Sequence, residues 1–169
     1  MAPRILELLD YARNDLNFRE ISLITNGTLL RDVIASLREA ISSPRLGLDT
    51  GEKNIRPTRP AVPFLMLIDR LIISLDSTDP QALSMVSVPD AYAEIVIANA
   101  REAASLQNTH NFKLILNAVI TPETLPGMDK LLAFCVENNV QISFSPQSVN
   151  NLPRYELVTS PEYRAFVEK

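Results

Sequence analysis

The residues of this chain that could do chemistry are polar side chains at the ends of apolar runs. Asn26 lies in Thr25-Asn26-Gly27-Thr28, directly after the run Ile21–Ile24. Asn-Gly is a turn-forming pair, and Thr28 suits a helix cap, so the segment has a local role as well as a place at a strand mouth. Ser74 and Asp76 alternate at the end of Leu71–Leu75. Alternation puts both on one strand face, where two hydrogen-bonding groups suit a sugar or a carboxylate partner. The competing role for Asp76 is to cap its own loop with Ser77 and Thr78. Asp79 precedes Pro80 and reads as a helix cap, so no metal is assigned to Asp76 and Asp79. Asn117 interrupts the apolar run Lys113–Ile120. A buried amide needs partners, from a ligand or from a neighbouring strand. Phe144, Ser145 and Pro146 end a fourth run, and Phe144 and Pro146 suit either a wall for a flat ring or the end of the core.

Other chemistries lack their parts. There is one histidine, His110, expected in an exposed loop, and one cysteine, Cys135, among apolar neighbours and expected in the core. No nucleophile–base pair with recognisable spacing is present, so no catalytic residue is assigned. One cysteine excludes an internal disulfide framework and a multi-cysteine metal or iron–sulfur site. Only 4 glycines occur against 12 prolines, which excludes a Gly-rich phosphate loop or a G-x-G-x-x-G fingerprint.

The elements that must position these residues follow from periodicity. Ile5–Asn14 reads as a helix with Ile5, Leu8, Leu9 and Ala12 on one side. Four strands are expected over Ile21–Thr25, Leu71–Leu75, Lys113–Ile120 and Val140–Phe144. Between them come helices over Leu29–Ile41, over Gln81–Met85, over Pro89–Leu106 (burying Ala91, Ile95, Ala98 and Leu106) and over Pro126–Asn138. Ser42–Pro63 is a long loop with Pro44, Gly47, Gly51, Pro57, Pro60 and Pro63, made locally basic by Arg45, Lys53, Arg56 and Arg59. After Pro146 the chain reads as irregular up to a helix at Pro161–Val167. Alternating strands and helices imply an α/β fold with a parallel sheet, and in such folds ligands bind at the C-terminal ends of the strands. Four strands are half of what an eight-stranded barrel needs.

The chain has 169 residues, 46% hydrophobic and 21% charged, which is globular composition. A net charge of −4 and a pI near 5.0 argue against a general nucleic-acid binder. No apolar run reaches the ~20 residues of a membrane span, and the N-terminal residues lack a signal-peptide layout, so a cytoplasmic protein is expected.

Four segments together resemble the radical S-adenosylmethionine (radical SAM) superfamily. Ile21–Leu30 is similar to that family's third strand and its TNGT-L turn. Asp69–Ser77 resembles the fourth strand, Lys113–Thr121 the fifth with its N-x-V-x-T pattern, and Val140–Gln147 the sixth. The resemblance implies an incomplete (β/α) barrel of the TIM type over residues 1–147, with an inserted loop at 42–68 and a C-terminal tail at 148–169. It implies enzymes that cleave S-adenosylmethionine reductively at a [4Fe–4S] cluster and use the resulting radical on a substrate. By strand position it places Ser74 and Asp76 near the ribose or methionine part of S-adenosylmethionine. Asn117 would face the same cofactor, Phe144, Ser145 and Pro146 would lie near the adenine, and Asn26 at the barrel mouth.

The family's C-x-x-x-C-x-x-C segment and its Gly-Gly-Glu have no counterpart here. The chain therefore reads as the later part of a radical SAM core, inactive alone. The missing segment would come from a longer gene product or from a partner chain. The alternative is a non-catalytic α/β binding or assembly module that has lost the cluster. A third reading is an unrelated α/β enzyme using Asp76 and Asn117. An incomplete barrel exposes sheet edges and apolar surface, so self-association is expected.

Overall fold

The computed structural model describes residues 4–28, 30, 64–86, 88–150 and 152–169. Apart from Leu30, the expected helix over Leu29–Ile41 lies outside the described residues, as do residues 42–63 of the 42–68 insertion. The chain opens with α1 (Arg4–Asp10), which widens into a π-helical turn over Tyr11–Asp15. Strand β1 (Ser22–Thr25) follows. A short helix α2 (Phe64–Leu67) leads into β2 (Arg70–Ser74). Helices α3 (Pro80–Val86) and α4 (Asp90–His110) precede β3 (Lys113–Ile120). A 3-10 turn, Leu125–Gly127, runs into α5 (Met128–Glu137) and then β4 (Gln141–Pro146).

The sheet order is β1-β2-β3-β4, every pair parallel. This is the α/β class expected, with the strands in chain order. A doubly wound sheet reverses its order at a switch point; these four strands do not. Among the described residues the strands bury one face. Leu71 and Ile73 of β2, and Leu114, Leu116, Ala118 and Ile120 of β3, are buried. Alternate residues on the same strands are exposed or half-buried. Burying each large aliphatic side chain contributes roughly 1.5–3 kcal/mol, so this face decides which way the sheet lies.

Helix α4 corrects the expected stripe. Ala91, Ile95 and Ala98 are exposed; Ala93, Val96, Ile97, Ala100, Ala103 and Ala104 are buried. The buried set has the same i, i+3, i+4 spacing but is built on small residues, which let a helix lie close to the sheet. Of the expected set, only Leu106 packs against the core. The helix also runs on to His110, so His110 sits in its last turn rather than in a loop. His110 Nδ1 lies 2.8 Å from Thr109 Oγ1. Asn111 then ends the helix in the left-handed conformation.

The tail is more ordered than expected. Ser148–Val149 (β5) and Leu152–Pro153 (β6) form a small antiparallel pair, followed by α6 (Tyr155–Val158) and α7 (Pro161–Val167). Ser160 caps α7 by accepting from the Tyr163 N–H at 3.1 Å. Leu157 is buried in the same core.

Candidate functional site

Register and burial together define the site. Pairing sets Ser74 beside Asn117 and Asn117 beside Ser143. In a parallel ladder, partners in register share a face. Ser74, Asn117 and Ser143 therefore form a polar row across β2, β3 and β4, about 10 Å from end to end at two strand spacings. All three are exposed, on the face opposite the core. Asn117 is thus exposed rather than the buried amide expected. One step further along, Val119 pairs with Ser145, both exposed; one step back lie Ile72 and Ile115, half-buried. Ile24 pairs with Ile72 and is 67% exposed. The open face carries this polar row flanked by Ile24, Ile72 and Ile115 on one side and by Val119 and Ser145 on the other, near the C-terminal ends of the strands, where ligands bind in parallel α/β folds.

Three expected site residues lie elsewhere. Asp76 does not share a face with Ser74. The ladder reaches Leu75, whose N–H donates to Asn117 O at 2.9 Å. The chain then leaves the strand and Asp76 turns in, 8% exposed. Its Oδ1 accepts the Val119 N–H at 2.8 Å, extending the β2–β3 pairing past the end of β2. Phe144 and Pro146 pair with Ala118 and Ile120, so they lie on the core face. Phe144 packs edge-on against Phe166 of α7, ring centroids 5.1 Å apart. Of that trio only Ser145 belongs to the open face.

The strand mouths are held by short polar networks. Asn26, exposed, accepts from the Thr28 N–H at 3.2 Å and from the Thr28 hydroxyl at 2.8 Å. Gly27 has φ +79, and a Cβ there would stand 3.2 Å from Ile73 Cγ2 and Val96 Cγ1. Glycine suits the left-handed conformation, and an added Cβ would be tightly packed there. Asn99 Nδ2 of α4 donates to Gly27 O at 2.6 Å from a position only 2% exposed. Sequence reasoning missed Asn99; its signal was an amide inside a stripe of alanines. At the next mouth Ser77 accepts the Asp79 N–H, and Asp79 caps α3 through the Gln81 and Ala82 N–H groups. After β3, Thr121 and Thr124 bond each other's backbone N–H, and the Thr124 hydroxyl donates to Val119 O at 3.1 Å. These turns bring Asn26, Asp76 and Thr121 to one edge of the sheet.

The opposite edge is structural. Asp69 accepts the Ile21 N–H at 2.7 Å and bonds Arg13, whose guanidinium also reaches Leu67 O at 3.2 Å. Partial burial works against ionisation of Asp69, but the Ile21 N–H and then Arg13 outweigh it and hold the carboxyl below its ordinary value. Gln107, also missed, joins α4 to the chain entering β4 through Asn138 O at 2.9 Å and Asn139 O at 3.2 Å, and accepts the Leu114 N–H. Cys135 is buried on α5, as expected, and burial pushes its thiol up to about 11.

No family model matches the chain. Over 147 residues it is 28% identical to a GTP 3′,8-cyclase of Rhodococcus opacus (strain B4), an alignment covering 85% of this chain. The chain spans 40% of the length of that curated relative. Among the described residues no helix is long and apolar enough to cross a membrane, and no three His, Cys, Asp or Glu side chains group as metal ligands.

Proposed function

We propose that this chain is the S-adenosylmethionine-binding part of a radical SAM enzyme core, with the open sheet face as the binding surface. The observation that carries the reading is the row Ser74–Asn117–Ser143, exposed and in register at the ligand end of a sheet whose strands run in chain order. The similarity to a GTP 3′,8-cyclase, itself a radical SAM enzyme, supports the same reading independently of that geometry. Two hydroxyls and an amide suit the ribose and amino-acid groups of S-adenosylmethionine. Ile72, Ile115 and Val119 suit its apolar parts. Asn117, central in the row, orients the ligand, while Ser74 and Ser143 contact it from either side and Ser145 from the next step of β4. Asn26 lines the mouth, held by the Gly27 turn. Asp76 acts through the backbone it holds at Val119.

The residues of this chain do not fit a [4Fe–4S] cluster. Such a cluster takes several thiolates, and the one cysteine is buried on α5. Any cluster would require ligands from elsewhere in a longer protein or from a partner, so no catalytic step is assigned to this chain. The same observation favours a second reading, a binding module without cluster chemistry.

Calorimetric titration of S-adenosylmethionine into the purified chain tests the proposal. Saturable binding, weakened about ten-fold by Asn117→Ala through loss of hydrogen bonds, is expected. No binding, or equal binding by Asn117→Ala, overturns it. Titration of a mixture with a cysteine-bearing N-terminal fragment separates the two readings: radical cleavage of S-adenosylmethionine by the mixture supports the enzyme part, and none supports the binding module.

A further inference from the structure

A cavity of about 440 Å³ lies between the Pro122–Asp129 segment and the C-terminal helices. Leu125, Leu157 and Phe166 supply apolar lining. Asp129, Glu156 and Glu162 bring three carboxylates to its lining, against the Lys169 ammonium and, just outside the lining, the Arg154 guanidinium, which pairs with Glu156 at 3.3 Å. Lys169 Nζ donates to both oxygens of Asp129, at 2.7 and 2.6 Å. Both side chains of this pair are more than half exposed. An exposed ion pair contributes little, so an incoming cation exchanges with Lys169 at small cost.

We infer that this cavity binds an organic monocation with an aromatic body, an arylalkyl ammonium, whose charge takes the place of the Lys169 ammonium at Asp129. The volume falls in the range of small-molecule sites. The apolar lining gives the body a surface to cover. Phe166 is already edge-on to Phe144 on one side and lines the cavity on the other, which favours a ring over a plain chain. With Asp129 paired to Lys169 and Glu156 to Arg154, Glu162 leaves the lining one carboxylate in excess, which favours a cation over a neutral or anionic ligand. Lys169 is then a tethered competitor: it fills the charged end of the site without filling the apolar end.

The probe is 2-phenylethylamine, with 2-phenylethanol as its uncharged counterpart, titrated into the isotopically labelled chain and followed by amide shifts. The amine is expected to bind roughly five-fold tighter than the alcohol, with shifts at Leu125, Leu157 and Phe166. Asp129→Asn is expected to abolish the difference. Lys169→Ala is expected to tighten the amine a few-fold and leave the alcohol unchanged. Both substitutions fall on exposed side chains, so the fold is retained. Equal affinity of amine and alcohol overturns the inference. So does a preference that survives Asp129→Asn, a set of shifts outside the cavity, or no saturable shift at all.

Discussion

Gly27→Ala tests how the mouth of the site is built. Gly27 has φ +79, a conformation that costs a residue with a Cβ roughly 1–2 kcal/mol. The added Cβ would also stand 3.2 Å from Ile73 Cγ2 and from Val96 Cγ1. Both neighbours are fully buried, so neither yields freely. Overpacking of this kind costs about 1–3 kcal/mol. Together the two terms predict a loss of roughly 2–5 kcal/mol, and a melting temperature lower by about 4–20 °C for a chain of this length. Thermal unfolding followed by circular dichroism measures it. A double-mutant cycle with Val96→Ala separates the terms: relief of the clash gives a coupling of about 1 kcal/mol, and the backbone term remains. A melting temperature for Gly27→Ala within about 2 °C of the parent chain refutes both terms at once. Full additivity with Val96→Ala refutes the steric term alone.

Further outcomes follow from other contacts. Because its folded value is depressed, Asp69 contributes stability that is fully present above its unfolded value near 4 and is lost as pH falls through the folded value. Urea titrations across that window should show Asp69→Asn with a flatter acid limb than the parent; identical limbs exclude Asp69 as a contributor. Cys135, with its thiol near 11, should react with a disulfide reagent at pH 8 only as fast as the chain opens, whereas immediate stoichiometric labelling of the folded chain contradicts its burial. Ile24 should promote self-association from the open face, so Ile24→Lys should shift sedimentation toward the 18.8 kDa monomer; a parent chain that is monomeric at every concentration removes that expectation.

Much of the fold was legible because β1, β2 and β3 each carry a short run of aliphatic residues bounded by turn signals. Lys113–Ile120 was read with its observed ends, and Leu71–Leu75 was displaced by one residue from Arg70–Ser74. The long helix was found, but its buried side was not. The eye follows Ile95, whereas packing against the sheet selects Ala93, Ala100 and Ala103. Strand alternation holds inside a ladder, and the structure puts Ser74, Asn117 and Ser145 together on the open face. It failed at Asp76, where the chain leaves the ladder and period two no longer applies. Phe144 and Pro146 were assigned by composition rather than by parity, and parity with Ala118 and Ile120 sends them to the core face. Ser143 carried the same alternation as Ser145 and was passed over. Asn99 and Gln107 act through backbone carbonyls far away in sequence, a kind of partner that spacing does not reveal.

The central claim is that the open face of the sheet is where this chain meets S-adenosylmethionine. Amide shifts of the labelled chain during titration with S-adenosylmethionine test it most directly. Saturable shifts at Ser74, Asn117, Ser143 and Ser145, with Leu114, Leu116 and Phe166 unmoved, are the predicted result. Shifts confined to the helical side, or no saturable shift anywhere, contradict it.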